Sequence, residues 1–101
     1  MSKLVKVLEK EELADGTGKL VSVEGKALAV FRVNGEFFAT ANNCLHRGGP
    51  LGEGDLDGYD VICPWHGWTY DVRSGAFTVV PTLKVKTYRV LIQGEGIFVE
   101  V

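Results

Sequence analysis

At 101 residues the chain supports one modest hydrophobic core and not two, so it reads as a single domain over residues 1–101. Apolar residues at 46% and charged residues at 24% are ordinary globular proportions, and a net charge of -2 offers no field of the kind that nucleic-acid binding relies on. The longest apolar run, Ala27 to Phe31, is far below the roughly 20 residues that cross a bilayer. The opening Met1-Ser2-Lys3-Leu4-Val5-Lys6 also lacks a signal-peptide core, so the expected location is cytoplasmic, with neither membrane nor nucleic acid as partner.

In chain order, alternating bursts predict strands at Leu4–Leu8, Lys19–Val23, Ala27–Val33 and Glu36–Thr40. Only residues 9–13 invite a helical turn. Glu24-Gly25 and Asn34-Gly35 are hairpin signals, since both turn positions require positive φ, and a three-strand meander follows from them. From Asn42 to Tyr59 the alternation fades among glycines at 48, 49, 52, 54 and 58, which predicts an ordered loop region. Strand character returns at Asp60–Cys63, near Trp68–Val72, at Val85–Gln93 and at Ile97–Val101, with Ser74-Gly75 as a further turn. The expected fold is all-β: an antiparallel sandwich or partly open barrel, with a loop-rich subdomain inserted over about residues 42–82. So long a loop region calls for something that orders it, and a metal centre would do so.

The two cysteines and two histidines of the chain fall into two tight pairs, Cys44-Leu45-His46 and Cys63-Pro64-Trp65-His66, with sixteen residues between His46 and Cys63. Turn-formers surround both pairs: Arg47-Gly48-Gly49-Pro50 after the first, Pro64 and Gly67 in and after the second. Two loop tips, each offering one thiolate and one imidazole, can close on a common centre. Structural zinc also takes two Cys and two His, although the Cys-x-His spacing in a β-rich frame differs from the usual finger. The bland alternative is a set of buried cysteines and satisfied histidines.

The stretches Cys44 to Gly54 and Cys63 to Val72 resemble the Rieske family, whose pattern is Cys-x-His, a spacer of this size, then Cys-x-x-His. The resemblance implies one 2Fe-2S cluster, with Cys44 and Cys63 on one iron and His46 and His66 on the other. With two sulfides such a cluster is neutral when oxidised, where an all-cysteine cluster carries two negative charges. Adding an electron is therefore easier, and family potentials run from about -150 to +300 mV. It further implies a one-electron carrier, with no bond chemistry of its own, between a flavin-containing NAD(P)H-dependent reductase and a terminal oxygenase. A small subunit of an assimilatory nitrite reductase is the alternative with the same motif context, and a zinc-held binding module is a third.

Departures from the respiratory members bear on the potential. Gly49 and Trp65 stand where those proteins carry an extra cysteine in each cluster loop, and Trp68 stands where they carry a serine that bonds a bridging sulfide. Tyr70 matches the family's tyrosine that donates to a cysteine sulfur. The resemblance thus implies a low potential, slightly raised by Tyr70. Pro50 and Pro81 are expected to stiffen loops beside the cluster, and Trp65 and Trp68 to shield it or pack the core. Arg47 is expected at the surface, with Glu53, Asp55, Asp57 and Asp60 solvated.

Overall fold

The computed structural model describes residues 3–45, 49–65 and 67–101. Its strands are β1 (Leu4–Glu9), β2 (Thr17–Val23), β3 (Lys26–Val33), β4 (Glu36–Ala41), β5 (Asp55–Asp57), β6 (Asp60–Ile62), β7 (Thr69–Asp71), β8 (Thr87–Tyr88), β9 (Val90–Gln93) and β10 (Gly96–Glu100). They form three sheets in the orders β1-β10-β9, β2-β3-β4-β8 and β5-β6-β7, and every pairing is antiparallel. The all-β expectation holds, and the sheets do not close into a barrel. No helix among the described residues is long and apolar enough to cross a membrane.

The meander forms as the turn residues dictate: Glu24 and Gly25 have φ of 52° and 79°, and so do Asn34 and Gly35, the paired positive values of the tightest hairpin turns. The helical turn is a single 3-10 turn at Lys10–Glu12, where the Glu9 N–H donates to the Glu12 carboxylate at 2.8 Å. The chain ends meet in one sheet, since β1 pairs with β10, with a bulge between Lys6 and Leu8.

Within β3 both faces are covered over residues 28–31, which accounts for the unbroken apolar residues there. Leu28 and Val30 face a core shared with Leu8, Leu13, Val21, Val23, Ile97 and Val99. Ala29, Phe31 and Val33 face a second core with Leu51, Val61, Tyr70, Val72 and both cysteines. A fully buried residue such as Phe31 contributes about 2–3 kcal/mol in this setting.

Two expectations differ from what is observed. Asp55–Asp57 is a strand and not loop, paired with β6 across a turn at Gly58, whose φ is 61°. Its Asp-Leu-Asp sequence holds one apolar residue between two poor strand formers, too short for alternation to register. The run Val85–Gln93 is not one strand either. β8 pairs with β4 and β9 with β10, so the chain passes from one sheet to the other at Arg89, and alternation continues across that corner without marking it.

Candidate metal centre

Two loops carry the cysteines, and local hydrogen bonds close each at its base. In the first, Asn43 and Pro50 form an isolated antiparallel bridge, the Cys44 N–H donates to the Gly49 carbonyl at 3.0 Å, and the Leu51 N–H donates to the Asn42 carbonyl at 2.8 Å. Buried Asn42 adds a side-chain clasp, its Oδ1 accepting the Gly52 N–H at 2.8 Å. Gly52 is required at that point, because a Cβ would lie 2.9 Å from the Leu20 amide nitrogen. The second loop is a hairpin tip between β6 and β7. The Cys63 N–H donates to the Trp68 carbonyl at 2.7 Å, and the Gly67 N–H donates back to the Cys63 carbonyl at 3.2 Å.

Cys44 and Cys63 are thereby brought together as buried free thiols on the same core. Tyr70, fully buried on β7, reaches across to the first loop. Its hydroxyl oxygen accepts the Leu45 N–H at 3.1 Å, which leaves the phenolic hydrogen to be donated to the Cys44 sulfur, also at 3.1 Å. Burial, above all, raises the affinity of this phenol for its proton, with the Cys44 sulfur next, so the donor stays a donor. The Cys63 thiol is likewise pushed up, first by burial and further by nearby Cys44, while the Trp65 N–H donating to its sulfur works against the rise.

This donor set fits a cationic centre. Cys44 and Cys63 lie on the same core, burial makes the Cys63 thiol hold its proton more tightly, each sulfur is supplied with a hydrogen-bond donor, and a metal cation would provide the compensating positive charge. The candidate ligands His46 and His66, together with Arg47, lie outside the described residues.

The other singled-out residues separate by environment. Trp68 stacks on Phe77 with ring centroids 4.2 Å apart and planes within 4°, and Phe77 in turn lies 5.6 Å from Tyr70, so Trp68 packs against the core. Trp65 and Leu45, at the loop tips, are 47% and 48% exposed. Pro50 starts the 3-10 turn Leu51–Glu53 with φ of -77°, a value its ring favours. Pro81 sits in a third loop anchored beside the second, where the Thr78 N–H donates to the Thr69 carbonyl at 3.0 Å. Glu53, Asp55 and Asp57 are exposed and Asp60 half-buried. Sequence reasoning missed the clasp from Asn42 and the stack from Phe77, both of which depend on contacts distant in the chain.

An all-β frame that closes two glycine-rich loops over a shared thiol pair defines a class of small proteins suited to holding a metal or iron–sulfur centre. The family model described as the Rieske 2Fe-2S domain matches residues 3–89. The chain is 38% identical over 90 residues, covering 88% of its own length and 86% of the relative, to the ferredoxin component of the naphthalene 1,2-dioxygenase system of Pseudomonas aeruginosa. Among solved structures, the Sphingomonas yanoikuyae B1 ferredoxin superposes with a TM-score of 0.89 at 33% identity, over 98% of this chain and 99% of that one. A complex of reduced oxygenase and oxidised ferredoxin in carbazole 1,9a-dioxygenase contains a chain matching with a TM-score of 0.87 at 32% identity, over 95% and 91%. The chain belongs to the Rieske 2Fe-2S domain family, and its cofactor is a 2Fe-2S cluster.

Proposed function

We propose that this protein is a one-electron carrier that accepts electrons from a flavin-containing NAD(P)H-dependent reductase and delivers them to a terminal oxygenase, without transforming a substrate itself. Cys44 and Cys63 hold one iron and His46 and His66 the other, within a cluster-binding subdomain of about residues 42–82 in a single domain of residues 1–101. The observation that supports this most directly is the pair of buried sulfurs, Cys44 bonded by the Tyr70 hydroxyl and Cys63 by the Trp65 N–H. The bound cluster supplies a site that gains and loses one electron. The protein's part is to keep Tyr70 protonated as a sulfur donor and to fix both loops through Asn42 and the hairpin of β6 and β7. A cytoplasmic location accords with thiols that are kept reduced for ligation.

One relative is the ferredoxin component of a naphthalene 1,2-dioxygenase system and one matching structure is an oxygenase–ferredoxin complex of carbazole 1,9a-dioxygenase, which favours the carrier over a nitrite reductase subunit. The test combines iron and sulfide analysis, EPR before and after dithionite, and stopped-flow reduction by a flavoprotein reductase. Two irons, two sulfides, a reduced signal of low average g and rapid single-electron reduction are expected. Loss of that signal in Cys44→Ser and His66→Ala variants is expected as well. A colourless zinc protein, or tight co-purification with a sirohaem enzyme, would overturn the reading.

A further inference from the structure

The two cluster loops meet at a point that the ligand pattern does not include. At Gly49 an added Cβ would lie 2.6 Å from the Cys63 sulfur, 3.2 Å from Cγ of Trp65 and 3.3 Å from its Cβ. Real Cβ atoms do not approach other atoms as closely as the first of these, so the first loop passes the second at bare-backbone distance. Trp65, two residues after Cys63, has its root against Gly49 while close to half of the residue faces water. No disulfide ties the loops, since both cysteines are free.

We propose that Gly49 and Trp65 form a noncovalent latch across the cluster loops: the missing side chain at 49 makes room for the Cys63 sulfur and the root of Trp65, and the indole caps that sulfur against water. Both are positioning residues, acting on the centre through Cys63. The proposal rests on the reading that Cys63 is a cluster ligand. Two consequences follow from the chemistry of the contact. Trimming the indole admits water beside the sulfur, and water stabilises the added negative charge of the reduced centre, so the midpoint potential rises. Filling the gap at Gly49 pushes the sulfur or the Trp65 root aside, which distorts ligation and opens a route for cluster loss.

The test compares wild type with Trp65→Ala, Trp65→Phe, Gly49→Ala and the Gly49→Ala/Trp65→Ala double variant. Readouts are circular dichroism, reduced EPR g-values, midpoint potential and the rate of cluster loss to a chelator. Trp65→Ala is expected to raise the midpoint and speed cluster loss by roughly 10-fold or more, with Trp65→Phe restoring both. Gly49→Ala is expected to shift the g-values, and the double variant to lose cluster more slowly than the product of the single effects predicts, because the two residues share one contact. Should Gly49→Ala fail to fold, the Trp65 pair alone decides. A loaded wild type whose Trp65→Ala variant keeps its midpoint and loss rate overturns the latch and leaves the carrier reading standing. A wild type that never holds a 2Fe-2S centre overturns both.

Discussion

Tyr70 carries two tasks through one oxygen, and the two separate by substitution. Tyr70→Phe removes a hydrogen bond to the Cys44 sulfur and takes away the partner of the part-buried Leu45 N–H, so a lower midpoint potential and a stability loss of about 1 kcal/mol are expected. Protein-film voltammetry and chemical denaturation check the two effects on one sample. An unchanged midpoint would remove Tyr70 from the electronic account and leave it as a loop clamp. Because burial keeps the phenol protonated well above its ordinary range, the Tyr70 contribution to the potential is expected to be constant from neutral to moderately alkaline pH.

Among the elements, the β3–β4 hairpin is the one whose turn chemistry is most exposed to test. Gly35 has φ of 79° with open space where a Cβ would go, so Gly35→Ala suffers from backbone strain alone, expected at about 1 kcal/mol in urea denaturation. The neighbourhood of β7 supplies a pH-dependent element. Asp71 is bonded by the Arg73 guanidinium at 3.0 and 2.8 Å and accepts the Arg73 N–H at 2.8 Å, and the guanidinium foremost holds its carboxyl below the usual range. A depressed folded-state pKa means stability that is present above the unfolded carboxyl value, near about 3.9, and lost as pH falls through the folded one. The pair is partly solvated, so the effect is expected below about 1 kcal/mol. In Asp71→Asn the melting temperature is expected to fall slightly at neutral pH and to converge on wild type in acid; a constant gap at all pH values would assign the loss to the backbone contact and not to charge.

For the whole molecule, the division into two cores on opposite faces of β3 has a consequence for metal removal. The cysteines belong to the core with Phe31, Leu51 and Tyr70, whereas Leu8, Leu28, Ile97 and Val99 pack on the other face without them. Removing iron is expected to expose the amides of residues 42–45, 49–54, 63–65 and 67–68 to hydrogen exchange while β2, β3, β10 and the strands beside them stay protected. Uniform loss of protection would mean that the two cores unfold as one unit through β3.

What could be read in the sequence was local. Asn34-Gly35 and Glu24-Gly25 named their own turns, alternation named the meander, and the Cys-x-His and Cys-x-x-His pairs pointed to the family and offered the candidate ligands, because each signal lies within a few consecutive residues. Other features depended on residues far apart in the chain. Alternation does not say which sheet a strand joins, so the corner at Arg89 stayed hidden, and the Asp-Leu-Asp strand is recognisable only beside β6. A bond from Tyr70 to a cysteine sulfur was expected from resemblance, but the choice of Cys44, the second bond to the Leu45 N–H, the Asn42 clasp on Gly52 and the close pass of Gly49 over Cys63 came from the tertiary structure alone. Those contacts arise where loops distant in sequence are pressed together by a shared core, and no periodicity in a single chain records how closely two such loops approach.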